Sequence, residues 1–262
     1  MAEKLKYFVN GQFRESKTDK WYDLHNPSTG EITGQAPCCT NDEVLEAIAA
    51  AKAAYPGWSA TPAIKRAQIL YRVRELILER MDELTMSVAK ENGKVWAESE
   101  GDVLKAKEGT ELATQVPSLM MGESIMDASR GYDTVKYREP LGVFAGIVPV
   151  NFPAMIPFGW MAPTCIATGN TLVLKAASLT PKTAMLFAQL YKDAGVPDGV
   201  INVVTCSRNE INTILEHPDV KGITFVGSTP VGLKIYEKAA ANGKRCQALC
   251  QAKNHALVME DC

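Results

Sequence analysis

The sequence predicts an α/β fold in which helices cover a parallel sheet. In the second half of the chain, short apolar stretches alternate with helix-like segments in the order βαβαβαβ. This order favours parallel strands that are joined by crossover helices. The first half contains three long helix-like segments, of which 62–92 has the apolar spacing of an amphipathic helix, so helices are expected to precede the sheet.

The first half begins with short strands and continues with the three helices. Residues 6–35 alternate apolar runs with turns such as Asn10-Gly11, a pattern typical of edge strands and hairpins. The predicted helices cover residues 42–55, 62–92 and 97–120. Thr40 provides a capping residue for the first helix, and Pro56-Gly57 is expected to end it. The third helix is expected to break near Pro117. By pattern, these helices are packing elements.

The best-defined unit of the second half lies between Phe144 and Lys175. Strands are predicted at 144–148 and 171–174, with a helix at 154–167 between them. Asn151 lies between two prolines, so its backbone is stiff. Asn151 and Lys175 both follow strands, at the edge where open α/β sheets bind ligands. Two interpretations stay open: a site that stabilises charge and binds a hydroxyl or phosphate, or a buried βαβ unit with an incidental Asn and Lys.

The remaining elements extend the same sheet. Helices are predicted at 180–194, 209–217 and from the turn after Val226 to Asn242, and strands at 200–205 and 220–226. The turn Gly227–Gly232 follows a strand and opens a helix, where backbone N–H groups favour an anion. It matches neither GxGxxG nor GxxxxGK[ST], because Leu233 stands in place of the lysine. A plain tight turn and an anion-binding turn are both compatible with this pattern.

Composition and charge exclude several classes of protein. The 262 residues are 46% hydrophobic and 22% charged, as in ordinary globular proteins, and would form one large domain or two small ones. The net charge of −2 and the lack of a basic run exclude nucleic acid and anionic membranes as expected partners. No apolar run has transmembrane length and no secretory signal is visible, so a cytoplasmic location is expected. The seven cysteines lack zinc-site spacing, so reduced thiols and no metal are expected.

Short motifs follow one another along the whole chain. They are FVNGQF (8–13), NPSTGE (26–31), ENGK (91–94), EGDV (100–103), REPLGV (138–143), PVNFP (149–153), GNTLVLK (169–175), TP (180–181), GVPDGVINVV (195–204), HPDVKGITFVGSTPVG (217–232) and AKNH (252–255). In this order they resemble the motifs of the aldehyde dehydrogenase superfamily, and AKNH resembles its CoA-acylating, methylmalonate-semialdehyde branch. The resemblance implies a doubly wound, Rossmann-like parallel sheet with N-terminal helices. Residues 1–262 would form the N-terminal cofactor-binding domain, with a subunit-contact ribbon near 132–143.

The resemblance also implies a site for NAD or NADP. Lys175 would bind the adenosine ribose or its 2′-phosphate, and Ser228 would donate its hydroxyl in the turn beside the pyrophosphate. The other residues implied to contact the cofactor are Val148, Pro149, Val150, Ser178, Leu179, Gly227, Val231, Gly232 and Cys250. Ser178 replaces a glutamate that would bind ribose hydroxyls and repel a 2′-phosphate. Either this replacement admits NADP, or Ser178 is an exposed serine without effect on cofactor choice.

For catalysis, the resemblance implies that the Asn151 amide stabilises negative charge on the aldehyde oxygen during attack by a thiolate. Val150 replaces a Trp or Phe, so the side chain that would line the nicotinamide pocket at this position is smaller. Leu249 stands at the position of the family's general-base glutamate and cannot activate water, in keeping with coenzyme A as co-substrate. Gln251 replaces a glycine and would narrow the channel. Lys105 replaces an arginine that holds the substrate carboxylate, so methylmalonate semialdehyde and a simpler short aldehyde are both possible substrates.

The family's nucleophilic cysteine lies in a GQRC-like stretch downstream of AKNH, and these 262 residues contain no such stretch. Cys246 and Cys250 flank the former glutamate position and are interpreted as small buried residues, while Cys262 has no supporting base in the sequence. The chain is therefore expected to lack the C-terminal catalytic domain and not to oxidise aldehyde by itself. The complete enzyme would be a homo-oligomer that oxidises a short aldehyde or semialdehyde with NAD(P) and releases acyl-CoA. The alternative is a non-catalytic dinucleotide-binding or subunit-pairing protein.

Overall fold

A seven-stranded sheet forms the centre of the structure, a computed structural model that describes residues 3–261. The strands of the chain are Tyr7–Val9 (β1), Gln12–Arg14 (β2), Trp21–His25 (β3), Ile32–Pro37 (β4), Glu123–Ser129 (β5), Tyr132–Lys136 (β6), Val143–Ile147 (β7), Thr171–Lys175 (β8), Ile201–Val204 (β9), Val220–Val226 (β10) and Arg245–Leu249 (β11). The order in the sheet is β11-β10-β7-β8-β9-β1-β2. The first five of these are parallel, and β1 and β2 add an antiparallel hairpin. Cys262 lies outside the described residues.

The helices surround this sheet. They are Asn41–Ser59 (α1), Ala63–Glu79 (α2), Met81–Asn92 (α3), Trp96–Ala113 (α4), Val116–Leu119 (α5), Ala162–Ala167 (α6), Lys182–Asp193 (α7), Arg208–Glu216 (α8) and Thr229–Ala241 (α9), and a π-helical segment, Ile156–Met161, leads into α6. Within residues 3–261, no helix combines the length and apolar character needed to cross a membrane.

The winding of the chain confirms the predicted doubly wound α/β fold. From β7 the chain passes through β8 to β9 in one direction, and it then returns to β10 on the other side of β7 and continues to β11. Side chains of β8 alternate between the two faces: Leu172 and Leu174 join a core with α2, α4 and α7, whereas Val173 joins a core with α1, α8 and α9. Because both faces are covered, these strands are apolar almost throughout, which made them recognisable in the sequence.

Two predicted helix boundaries are wrong. The first helix does not end at Pro56 but continues to Ser59. A proline in the last turn removes only one backbone hydrogen bond, and the extra turn buries Trp58, whose Nε1 donates to the carbonyl of Ile166 at 3.0 Å. The predicted helix 62–92 is two helices that meet at Arg80. After this interruption α3 packs against α7. Arg80 forms an ion pair with Asp193, the last residue of α7, at 3.6 Å.

The predicted helix at 154–167 starts late and begins in π-helical form. Pro163 has no N–H to donate to Gly159, and the N–H of Ala162 reaches back five residues to the carbonyl of Pro157. The ribbon predicted near 132–143 is also displaced: the antiparallel pair consists of β5 and β6 and ends at Lys136. Every residue of these two strands is exposed. The contact of this β5–β6 ribbon with another subunit stays a prediction.

Candidate functional site

The carboxyl ends of β7 and β10 are adjacent at a switch point of the sheet. The two strands are paired in parallel, with Ile147 opposite Phe225 at their carboxyl ends. The helix after β7 and the helix after β10 cover opposite faces of the sheet. Such a point leaves a crevice beyond the strand ends, where open α/β sheets bind ligands. Two groups of predicted site residues, 148–151 and 227–232, therefore meet at one edge.

The turn that begins at Gly227 is tightly packed. A β-carbon on Gly227 would lie 2.5 Å from the Phe225 ring, and one on Gly232 would lie 2.4 Å from Sγ of Cys250. A larger residue at either position would require the Phe225 ring or the Cys250 side chain to shift. Ser228 is the N-cap residue of α9, yet its exposed hydroxyl makes no capping hydrogen bond. Among the described residues the Ser228 hydroxyl has no hydrogen-bond partner, so it is available at a helix N-terminus. Val231 lies exposed in the first helical turn.

Lys175 ends β8, between Ile147 of β7 and Val204 of β9. Its side chain is partly buried and forms no hydrogen bond or ion pair with any residue in the described range 3–261. Burial lowers the pKa of its ammonium group, and the nearby thiols of Cys206 and Cys38 oppose this effect. Ser178 is partly buried and Leu179 is exposed in the connection from β8 to α7. A partly desolvated cation without an anionic partner is suited to a ligand that brings negative charge or hydroxyl groups.

The segment after β7 carries Asn151. Val148 still belongs to the core and Pro149 is partly buried, whereas Val150 and Asn151 are exposed. The carbonyl oxygen of Val150 accepts hydrogen bonds from Nδ2 of Asn92 at 2.7 Å and from the Thr180 hydroxyl at 3.3 Å. The side-chain amide of Asn151 bonds to no other residue among those described. It is a free donor on a segment whose backbone is held from both sides.

Sequence reasoning missed the residues that hold this segment. Asp102 of α4 is buried and accepts the backbone N–H of Met155 at 2.7 Å. Its other carboxylate oxygen lies 3.1 Å from Nζ of Lys94, which in turn lies 3.9 Å from the centroid of the Phe152 ring. Lys94 and Asp102 both stand in motifs quoted above, ENGK and EGDV. The sequence does contain one signal for this role: Asp102 is an acidic residue next to apolar Val103 and Leu104 in the predicted helix 97–120.

Of four other predicted residues, Lys105, Cys246, Leu249 and Cys250, the last contradicts its interpretation. Lys105 is exposed on α4 and pairs with Glu108 at 2.7 Å, so its charge is already partnered. Cys246 is partly buried in β11, but Cys250 is exposed, and its interpretation as a small buried residue is wrong. Cys250 follows the edge strand β11, where the chain leaves the sheet, and it remains exposed although its sulfur lies close to Gly232 of α9. Leu249, at the end of that strand, is exposed by 40%.

Together, the described residues place three free donors on one sheet edge: a lysine ammonium, a serine hydroxyl and an asparagine amide. A lysine ammonium suits ribose hydroxyls or a phosphate, a serine hydroxyl suits a phosphate oxygen, and an amide N–H suits a carbonyl oxygen. Within residues 3–261, no group of His, Cys, Asp and Glu is arranged to hold a metal ion. The edge is therefore suited to a phosphorylated, hydroxyl-bearing ligand.

Comparisons with known proteins agree with this geometry. Malonate-semialdehyde dehydrogenase 2 of Geobacillus kaustophilus is 46% identical over 260 residues, which are 99% of this chain and 54% of that protein. The acylating, mitochondrial methylmalonate-semialdehyde/malonate-semialdehyde dehydrogenase of Homo sapiens is 45% identical over 98% of this chain and 48% of that protein. The chain thus spans about half the length of the curated relatives it matches.

Solved structures resemble the whole fold. The methylmalonate-semialdehyde dehydrogenase of Oceanimonas doudoroffii superposes with a TM-score of 0.93 at 40% identity, over 97% of this chain and 52% of that one. A Sinorhizobium meliloti protein provisionally named methylmalonate-semialdehyde dehydrogenase, solved in complex with NAD, superposes with a TM-score of 0.94 at 36% identity, over 97% and 52%. The family model described as "Aldehyde dehydrogenase family" matches residues 13–262. The chain belongs to the aldehyde dehydrogenase family.

Proposed function

We propose that this chain is the dinucleotide-binding part of an enzyme that oxidises a short aldehyde or semialdehyde with NAD or NADP and transfers the acyl group to coenzyme A. The observation that carries the proposal is the convergence of Lys175, Ser228 and Asn151 on the switch-point edge of the sheet. Family membership supports the reaction class, and the names of the two curated relatives support a malonate- or methylmalonate-type semialdehyde.

The residues of the edge fit a dinucleotide. The pyrophosphate needs a close approach to backbone N–H groups at a helix N-terminus, and the turn that begins at Gly227 leads into the N-terminus of α9 at this edge. The free hydroxyl of Ser228 would donate to a phosphate oxygen. Val148, Pro149 and Val150 would line the path toward the nicotinamide, with Leu179, Val231 and Cys250 at the adenosine and pyrophosphate side.

Lys175 would bind the adenosine ribose, and Asn151 would serve the reaction. When bound, the nicotinamide ring supplies the acceptor for the hydride. The Asn151 amide would donate to the aldehyde oxygen as negative charge develops there, and losing one such donor typically lowers the rate by about 10²–10³. Because its amide has no competing partner among the described residues, it is available without breaking another hydrogen bond.

Acyl transfer to coenzyme A rather than to water follows from the residue at position 249. A leucine cannot accept a proton from water, so an attacking thiolate from coenzyme A would resolve the acyl intermediate. Lys105 offers less support for a substrate carboxylate than the sequence suggested. Its ammonium group forms an exposed ion pair with Glu108, with which a substrate carboxylate would have to share the charge. The choice between methylmalonate semialdehyde and a simpler aldehyde therefore stays open within the proposal.

Calorimetric titration of the 262-residue chain with NADH tests the cofactor assignment. Replacing Lys175 with Met should weaken NADH binding about tenfold, because one charge-assisted hydrogen bond is lost. Lys234→Met is the matched control, since Lys234 is exposed on α9 beyond the turn, and it should leave the affinity unchanged. A parent chain that does not bind NADH, or equal effects of the two substitutions, would refute the assignment.

A further inference from the structure

Asp102 joins helix α4 to the segment that carries Asn151. Its side chain is fully shielded from solvent, and its two oxygens contact different partners. One accepts the N–H of Met155 at 2.7 Å and the other meets Nζ of Lys94 at 3.1 Å. A buried carboxylate remains ionised only where such partners satisfy it, and removing one partner is strongly destabilising. Met155 follows Asn151 by four residues, so this carboxylate holds the segment downstream of the amide.

Lys94 provides a second contact to the same segment. Its ammonium group lies over the Phe152 ring, 3.9 Å from the centroid, while it pairs with Asp102. Phe152 is the residue directly after Asn151. A cation held between a ring face and a buried carboxylate has little freedom to move, because both attractions are lost together if it turns away. The ring, and with it the backbone next to Asn151, is therefore fixed relative to α4.

Asn92 holds the other side of the amide. Its Nδ2 donates to the carbonyl oxygen of Val150, the residue directly before Asn151, at 2.7 Å. Gly93 separates Asn92 from Lys94 in left-handed conformation, with φ of 76°. This conformation ends α3 between the two side chains, and a β-carbon at Gly93 would lie 2.6 Å from the Pro27 ring. One short stretch, Asn92–Lys94, thus contacts both neighbours of Asn151.

The preceding residue, Glu91, ties this stretch to helix α7. Its carboxylate accepts the N–H groups of Lys182 at 2.8 Å and Thr183 at 3.0 Å, at the start of that helix. The connection into α7 also contains Thr180, whose hydroxyl donates to the Val150 carbonyl. Helices α3, α4 and α7 are thereby linked through the residues around Asn151. The amide itself has no partner among the described residues, so its position depends on its backbone alone.

From these contacts we infer that Asn92, Lys94 and Asp102 are positioning residues for Asn151. They hold the Val150–Met155 segment in the one conformation that presents the amide to the aldehyde oxygen and leaves room for the nicotinamide. The inference rests on the proposed function, in which Asn151 is the oxyanion donor. None of the three contacts the reacting atoms. Their contribution is preorganisation, which oxyanion stabilisation requires because the donor must be in place before charge develops.

Hydrogen exchange in the 262-residue chain tests the first half of this inference. Asp102→Asn keeps an oxygen for the Met155 N–H but loses the ion pair, and Lys94→Met loses both the ion pair and the ring contact. Each should speed exchange of the amides in residues 150–158 about tenfold. Lys94→Arg, which keeps the charge, should restore slow exchange. Lys107→Met is the matched control, because Lys107 lies on α4, as Asp102 does, and pairs with Glu111 at 3.3 Å, apart from these contacts. Unchanged exchange in both Asp102→Asn and Lys94→Met overturns the inference.

A comparison of two ligands then separates positioning from a general effect on folding. ADP-ribose contains the adenosine end of NADH but lacks the nicotinamide. In Asp102→Asn and Lys94→Met, NADH binding should weaken about fivefold while ADP-ribose binding stays within about twofold of the parent. An equal loss for both ligands would mean that these residues support the whole domain, and would overturn the inference. If neither ligand binds the parent chain, the proposed function fails, and the exchange experiment alone decides whether the segment is held as inferred.

Discussion

Gly109 of α4 and Gly159 of the π-helical segment lie directly against each other. A β-carbon built on Gly109 would be 2.0 Å from the carbonyl oxygen of Gly159, and one on Gly159 would be 2.9 Å from the carbonyl oxygen of Lys105. This contact sets the distance between α4 and the segment that follows Asn151. Asp102 lies on the same helix, seven residues before Gly109. The Gly109–Gly159 contact and the Asp102–Met155 hydrogen bond together fix the segment after Asn151 against α4.

The glycine crossing predicts opposite effects for two substitutions on one helix. Gly109→Ala should destabilise the chain by about 2–3 kcal/mol, because backbone atoms rather than a flexible side chain block the new methyl group. Gly101→Ala, also on α4, meets nothing within 4 Å. It should stabilise the chain by up to about 1 kcal/mol through helix propensity. Urea unfolding of both variants and the parent measures the difference. Equal stability of the two variants would show that the crossing is not tight.

Glu91 predicts a pH dependence of stability. Burial raises the pKa of its carboxyl from the ordinary value of 4.5 to about 7, against the opposing effect of its hydrogen bonds to the start of α7. Between these values the folded chain holds a proton that the unfolded chain has released. Its contribution to the free energy of unfolding is therefore fully present below pH 4.5 and is lost as the pH rises through about 7.

The comparison with Glu91→Gln isolates this contribution, because glutamine does not titrate. The parent should gain stability relative to Glu91→Gln by up to about 3 kcal/mol on going from about pH 8 to about pH 5. Urea unfolding at the two pH values measures it, and Glu98→Gln, at an exposed position of α4, serves as the control. A difference that is constant, or larger at the higher pH, would contradict the raised pKa.

The strands and the switch-point residues could be predicted from the sequence because their signals are local. Strand β10 spans the predicted 220–226, and the strand before Lys175 differs by one residue. Apolar runs buried on both faces need no knowledge of distant partners. Positions at strand ends follow directly from them, which is why the sequence indicates Asn151, Lys175 and Gly227 as candidates.

The contacts around Asn151 could not be predicted because they join distant parts of the chain. Asp102 and Met155 are 53 residues apart, and Asn92 and Val150 are 58 apart. The spacing of apolar residues contains no information about contacts between such distant residues. A single sequence also shows no covariation from which these contacts could be inferred. The continuation of α1 beyond Pro56 has the same cause. Local propensity predicts that the helix ends at Pro56. In the structure the helix continues because this buries Trp58, whose Nε1 donates to the carbonyl of Ile166.

The β5–β6 ribbon predicts self-association of the chain. Its exposed apolar residues include Ile125 at 62%, Tyr132 at 71% and Val135 at 53%. Apolar side chains on a two-stranded ribbon are stabilised when a second subunit covers them. Replacing Ile125 and Val135 with Lys should lower the mass measured by light scattering without changing the melting temperature of the fold. Leu112→Lys, at an exposed apolar position of α4, is the control. An unchanged mass in the double variant would exclude the ribbon as the contact.

Cofactor choice should depend on Ser178 and Lys175. The ammonium group of Lys175 has no anionic partner among the described residues, and position 178 carries no carboxylate that would repel a 2′-phosphate. One charge-assisted hydrogen bond to that phosphate is worth about 1.5–3 kcal/mol, but competition with water at an open edge offsets most of it. NADP should therefore bind as well as NAD or modestly better. Ser178→Glu should weaken NADP binding about tenfold and spare NAD, because the new carboxylate repels the phosphate but accepts ribose hydroxyls.

Calorimetric titration of both cofactors measures this preference, and Ser118→Glu, which adds the same charge at an exposed position of α5, should alter neither affinity. Lys175→Ala should remove any advantage of NADP over NAD, since the phosphate then meets no cation. Two results would contradict the role given to Ser178. One is NAD binding about tenfold tighter than NADP in the parent chain, and the other is NADP binding that Ser178→Glu leaves unchanged. Either would mean that the 2′-hydroxyl side of the ribose faces away from position 178.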